Sequence, residues 1–180
     1  MESNLLTIYL VILLAILGGA SWFILRQILK TRRMESSLSR LQNKLNREPG
    51  TTQEYFELGG IYLSKNLSVQ AIAQFQKALK AAEAEGEENI SPIYNAIGYG
   101  YFLQEQYDLA IRNYKEALKI NPQYPTALNN LGHAYEKKNL NSAALEAYEQ
   151  VCNLEPKNAI AKQRAETLKR RLVTTKSSKD

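Results

Sequence analysis

The stretch Tyr94–Pro122, YNAIGYGYFLQEQYDLAIRNYKEALKINP, reads as two short amphipathic helices laid back to back. Tyr94, Ile97-Gly98 and Tyr101 mark the first helix. After a polar turn at Gln104–Tyr107, Ala110, Tyr114 and Ala117 mark the second, and Pro122 closes the unit. These residues recur three and four apart, the period of a helical face. A pair this short leaves its apolar faces uncovered, so it needs neighbours built the same way.

The neighbours are present. Downstream, Leu128, Leu131-Gly132, Tyr135, Ala144, Tyr148, Val151 and Pro156 repeat the spacing after about 34 residues, a period that marks stacked helix pairs. Upstream, Tyr55, Leu58-Gly59, Tyr62, Ala71, Phe75 and Ala78 repeat it across a slightly longer interval, with Glu83 where the closing proline would stand. The period and the pattern aromatic-x2-L-G-x2-Y…A-x3-F…P resemble the tetratricopeptide repeat. The expected fold is all-α: an N-terminal transmembrane helix, a helical stalk, then a right-handed α-solenoid of three such repeats with a C-terminal capping helix.

The net charge of +5 is unevenly spread. Residues 1–51 carry +4, residues 52–158 carry −4 and residues 159–180 carry +5. An acidic repeat block between basic flanks argues against a nucleic-acid module, whose basic surface belongs on the folded domain. The single cysteine, Cys152, excludes an internal disulfide and a cysteine-built metal cluster. Its place on a repeat helix predicts a partly buried, inert thiol.

Ser3–Leu25, SNLLTIYLVILLAILGGASWFIL, contains no charged residue. About 20 apolar residues span a bilayer core as a helix. A cleaved signal peptide would want a basic head and a shorter apolar run ending at small residues. Here the head carries Glu2 and no Lys or Arg, and Gly18-Gly19-Ala20 lead straight into Trp22-Phe23-Ile24-Leu25. The expectation is a retained anchor over residues 1–25. Arg26, Lys30, Arg32, Arg33, Arg40, Lys44 and Arg47 all follow it. The positive-inside rule then places the remainder on the cytoplasmic side or its equivalent, such as a plastid stroma. The same residues suit anionic lipid headgroups. Ala15 and Gly19 form a small-xxx-small pair of the kind found where membrane helices associate.

Residues 26–50 read as a basic helical stalk, with Met34, Leu38, Leu41 and Leu45 forming an apolar stripe and Pro49-Gly50 ending it. The repeats are expected over residues 52–90, 91–124 and 125–158 of a block spanning 51–158. Thr51 or Thr52 caps the first helix, Gly86 ends a lengthened second helix, and Ser91-Pro92 opens the next repeat with Ser91 as N-cap. Residues 159–172 are expected to form a basic capping helix, and residues 173–180 a disordered tail.

Gly59, Gly98 and Gly132 sit on the first helix of each pair, opposite Ala71, Ala110 and Ala144 on the second. Small residues there let paired helices approach, and the aromatics are expected to fill the space between neighbouring repeats. All of these are structural positions. One register step away, on the face that lines the concave groove of the tetratricopeptide fold, lie the candidate partner-binding residues. They are Phe56, Gly60 and Leu63, then Asn95, Tyr99 and Phe102, then Asn129, His133 and Glu136. Phe56, Tyr99 and Phe102 are expected to form an exposed apolar patch. Asn95 and Asn129 are expected to hydrogen-bond the backbone of an extended segment. Within the chain itself, the stalk helix and the tail are the competing occupants of that groove. His133 is the only histidine, with neither a second one nor a nucleophile elbow or phosphate loop beside it. No catalytic, metal or cofactor site is expected, and no small-molecule substrate.

The segments YLVILLAILGGASWFILRQILK and NLGHAYEKKNLNSAALEAYEQVCNLEPKNAIAKQR, joined through a short basic stalk, look like the membrane-anchored tetratricopeptide-repeat photosystem I assembly proteins of cyanobacteria and plastids. The resemblance implies a thylakoid assembly scaffold whose partners are photosystem I subunits or intermediates. The alternative is a membrane receptor or adaptor for targeting peptides or chaperones. Family members that clamp a chain-terminal carboxylate use lysine and asparagine where this sequence has Phe56 and Gly60, which disfavours that alternative.

Overall fold

The computed structural model describes residues 2–177, with side chains described for residues 9–174. Among them the chain forms eight helices and no strand, in two units, Met1–Glu48 and Pro49–Asp180.

The first unit is one helix, α1 (Glu2–Leu45), which runs unbroken through both the apolar run and the basic stretch after it. No proline falls within it, so nothing interrupts the backbone ladder, and 44 residues extend about 66 Å at the helical rise. Its large apolar side chains from Tyr9 to Leu29 are exposed. By length and composition it is the one described helix able to cross a membrane.

The second unit is a solenoid. Its helices are α2 (Thr52–Ser64), α3 (Ser68–Glu85), α4 (Ser91–Leu103), α5 (Tyr107–Ile120), α6 (Pro125–Lys137), α7 (Asn141–Leu154) and α8 (Ala159–Ser177). Each packs on the next in chain order, and α4 also touches α6. Ser91, Pro125 and Ala159, which start α4, α6 and α8, are evenly spaced by one repeat period, so α8 stands where the first helix of a fourth repeat would stand. The expectation ended this helix at Leu172. It continues to Ser177, because no Pro or Gly follows Leu172 to end it. Residues 178–180 of the expected tail lie outside the described residues.

Local chemistry sets the helix ends. Thr51 and Glu54 form a reciprocal capping box at the start of α2. Gly86 closes α3 at φ 72°, a left-handed conformation that suits glycine. Ser91 is not the N-cap of α4. That place falls to Ile90, and Ser91, buried in the first turn, donates its hydroxyl to Asn89 Oδ1 at 2.7 Å. The turn inside each repeat carries one left-handed residue, Asn66, Glu105 or Asn139. The amide just after it reaches back to the carbonyl of Tyr62, Tyr101 or Tyr135, at 2.9, 3.0 and 2.9 Å, which closes the helix end.

The glycines explain the helix crossings. A Cβ on Gly59 would lie 2.5 Å from the Phe75 ring, on Gly98 2.7 Å from Tyr114, and on Gly132 3.0 Å from Tyr148. In each repeat a ring of the second helix therefore packs on the bare backbone of the first. The same rings also help fill the space between repeats, as expected: Phe75 clusters with Ile93 and Ile97 of α4, Tyr114 with Leu131 and Ala134 of α6, and Tyr148 with residues of α8. The gap between repeats is closed partly by a glycine that the repeat pattern does not include. Gly100 on α4 meets Ile72 of α3, 2.6 Å from where its Cβ would be. At the far end, Ala161, Ala165 and Leu168 of α8 join Leu128, Ala144, Tyr148 and Val151 in one core cluster.

Candidate docking groove

The first helices of successive repeats, α2, α4 and α6, together with α8, set the groove positions in a regular lattice. Asn95, Tyr99 and Phe102 fall on one face of α4, and one repeat period later Asn129, His133 and Glu136 fall on the matching face of α6. One residue over, Asn130 of α6 and Arg164 of α8 are likewise one period apart.

Contacts join these columns across the helices. Asn130 Nδ2 donates to Asn95 Oδ1 at 3.0 Å, linking α4 to α6. The Phe102 ring lies 4.7 Å from the His133 ring and 5.4 Å from Tyr107, edge-on to the latter. Arg164 Nη1 donates to Glu136 Oε2 at 2.8 Å, linking α6 to α8. Tyr99 and Leu103 remain open, each 41% exposed.

The structure thus joins α4 to α6 through two contacts, Asn95 with Asn130 and Phe102 with His133, with Tyr99 and Asn129 on the same faces. Phe56 and Leu63 hold the matching positions on α2 but are covered. Both are half-buried against the core cluster that Ile72, Phe75 and Ala78 of α3 form with Ile93 and Ile97 of α4, and the Phe56 ring leans on Phe75 at 5.3 Å. The expected patch of exposed Phe56, Tyr99 and Phe102 reduces to Tyr99, because Phe56 and Phe102 each find a ring to cover them. Gly60 is exposed, with nothing within 4 Å of its Cβ position. Asn95 spends its carbonyl on Asn130.

Asn129 behaves differently. Its Oδ1 is closed off from solvent, and no donor among the described residues reaches it. By the lattice its partner should come from position 164, as Asn95 draws on Asn130, but Arg164 leans to Glu136 instead. Beside it the His133 imidazole is held below its ordinary value of 6.5. Partial burial is the main cause, Arg164 and Lys137 add to it, and Glu136 works against it. The ring is therefore neutral near pH 7, consistent with its packing on Phe102.

Asn130 and Arg164 were not among the groove residues expected from the sequence. The signal was available: running the repeat register through the capping helix sets Arg164 in the column of Asn130.

The repeat assignment has independent support. A family model described as "TPR repeat" matches residues 98–139, and one described as "Tetratricopeptide repeat" matches residues 125–158. The protein ycf37 of Cyanophora paradoxa is 34% identical over 164 residues, covering 91% of this chain and 95% of that one. The chain belongs to the ycf37 family. The tetratricopeptide repeat domain-containing protein PYG7, chloroplastic, of Arabidopsis thaliana is 34% identical over 164 residues, 91% of this chain. That alignment spans 54% of PYG7, so the chain matches about half of that relative's length. Among solved structures, MamA superposes with a TM-score of 0.69 at 21% identity, over 77% of this chain and 78% of its own. The first repeat domain of Spaghetti (RPAP3), bound to the HSP90 peptide SRMEEVD, gives 0.63 at 21% identity, over 70% and 96%. At that identity the likeness is one of fold.

Proposed function

We propose that this ycf37-family chain is a membrane-anchored interaction scaffold of the thylakoid that assists assembly or stability of photosystem I. In this reading α1 is the anchor and the basic run after it keeps the repeats on the cytoplasmic or stromal side. The repeat unit, domain 51–158 with its cap, holds subunits or assembly intermediates by protein–protein contact rather than by chemistry. The observation that carries the reading is the pairing, in one chain, of an exposed apolar helix of spanning length with a repeat groove that leaves Tyr99 and Leu103 open. Similarity to a relative described as chloroplastic supports the compartment. The resemblance to photosystem I assembly proteins supplies the partner.

The test is affinity capture of the full chain from detergent-solubilised membranes, with and without Tyr99→Ala plus Phe102→Ala. Photosystem I subunits should be recovered, and the double variant should lose them while keeping its helical content. Loss of the protein should lower photosystem I accumulation selectively. Recovery of chaperones in place of photosystem subunits would sink the proposal in favour of a receptor role. Deleting residues 1–25 should release the repeats from membranes.

A further inference from the structure

We propose that the α8 end of the groove holds an aspartate or glutamate side chain of an extended protein segment, and that Arg164 is the residue that reads it. The inference rests on the docking reading above and adds the chemistry of the partner. It is carried by the way the Arg164–Glu136 pair is presented. Glu136 is 15% exposed and Arg164 49% exposed, so the pair shows solvent its guanidinium and hides its carboxylate. The 2.8 Å bond to Glu136 runs through Nη1, and a guanidinium carries five N–H donors in a planar fork suited to a second carboxylate.

The surroundings favour an anion. Lys137 is exposed on α6, and exposed Arg170 and Arg171 follow on α8, a helix whose residues 159–177 carry +5. The repeats themselves, residues 52–158, carry −4, so the positive charge of this unit is concentrated on its last helix, and Arg164 presents part of it at the α8 end of the groove. His133 is neutral near pH 7 and adds no competing charge. Towards the middle the groove is apolar, with Tyr99 and Leu103 open on α4. The groove is polar in one direction, and a complementary segment carries an apolar residue over α4 and an acid over α8. Two helix spacings of about 9–10 Å separate these, or about five or six residues of extended chain.

The unpartnered Asn129 carbonyl marks the same place as incomplete. In the unliganded chain Arg164 is drawn to Glu136, and the acceptor that the lattice would give it stays empty. A second carboxylate on the outer side of the guanidinium weakens that pull. The inner N–H groups then come within reach of Asn129, as Asn130 is to Asn95.

Random twelve-residue peptides displayed on phage, selected against the full chain in detergent micelles, test this. Selected peptides should be rich in Asp or Glu about five or six residues from an aromatic or aliphatic residue, the separation that the helix spacing sets. A synthetic selected peptide with that acid changed to its amide should bind about tenfold more weakly, the scale of one charge-assisted contact. Arg164→Gln should cause the same loss for the acidic peptide and no further loss for the amide peptide. Amidating the peptide's C-terminus should change nothing. Binders without an acidic preference, still lost in the Tyr99→Ala/Phe102→Ala variant, would overturn this inference and leave the docking groove standing. So would dependence on the C-terminal carboxylate. No peptide retained above that double variant would end both readings. The acid-to-amide change is made in the peptide, so the result holds even if Arg164→Gln disturbs folding.

Discussion

The step from α4 to α6 and the step from α6 to α8 repeat one arrangement with different outcomes. At the first, the carbonyl of Asn95 takes a hydrogen from Asn130 and the ring of Phe102 covers His133. Polar and apolar groups are both satisfied inside the protein. At the second, Asn129 repeats Asn95, Arg164 replaces Asn130 and Glu136 replaces Phe102. The charged pair forms, and the Asn129 carbonyl is left without a donor. A salt bridge therefore wins over a neutral hydrogen bond, because a guanidinium–carboxylate contact is roughly twice as strong as an amide one. The middle step is built for stability. The end step holds a compromise that a partner can resolve.

Both steps hang on the same frame, the aromatic ring seated on glycine in each repeat. Breaking that frame should have the largest effect. Tyr114 and Tyr148 are 0% and 2% exposed. Tyr114→Ala and Tyr148→Ala should each cost about 3–5 kcal/mol, as burial of an aromatic ring and the cavity left behind imply. Urea titration of the full chain in micelles, followed by far-UV circular dichroism, measures it. A loss under about 1 kcal/mol at either site, well below the usual cost of such a cavity, would mean that the rings do not carry the crossings.

The asymmetry itself is next in size. Asn95→Ala strands Asn130 Nδ2 and should cost about 1 kcal/mol, the usual net worth of such a bond. Asn129→Ala removes a buried acceptor that has no donor, so it should be neutral or slightly stabilising. A double-mutant cycle should show coupling between Asn95 and Asn130 and none between Asn129 and Arg164. In a Glu136→Gln background the second coupling should appear, because Arg164 is then free to turn. Equal costs for the two alanine variants would erase the distinction between the steps.

A smaller change should strengthen the frame without touching either step. The left-handed turn residue is asparagine in the first and third repeats and Glu105 in the middle one, at φ 59°. Asparagine tolerates this region better than glutamate. Glu105→Asn should therefore stabilise by about 0.5–1 kcal/mol in the same titration, within the range of backbone-compatible substitutions. The two couplings should be unchanged.

The frame was legible because it depends on spacing alone. Gly98 and Tyr114 are separated by the same interval as Gly59 and Phe75 and as Gly132 and Tyr148, and any residue-by-residue reading of the repeat finds them. The groove faces were legible for the same reason. The partners chosen on those faces were not. Whether Arg164 turns to Asn129 or to Glu136 is decided by competing electrostatics across two helices, which periodicity does not encode. Nor does the pattern say that Phe56 folds back onto Phe75 while Tyr99 stays out. The left-handed turns carry no glycine to mark them, since Asn66, Glu105 and Asn139 occupy them.

The smallest effect is also the most direct probe of the end step. His133 is the only histidine, so one imidazole resonance reports on the groove where α6 meets α8. Burial is the main reason its pKa lies below 6.5, with Arg164 pushing the same way and Glu136 the opposite way. Arg164→Gln should therefore raise the titration midpoint, and Glu136→Gln should lower it. The rise should be less than the whole depression, because burial remains. The sign carries over to stability. A folded value below 6.5 means that the unfolded chain takes up the proton first as pH falls. The stability present above pH 6.5 should decline from there to the folded value and then level off, and His133→Gln should lack that decline. Shifts of the same sign in the two charge variants would show that loosened packing of His133, rather than the charges of the pair, sets its titration. The ion pair would then be a surface contact and not the feature that separates the end step from the middle one.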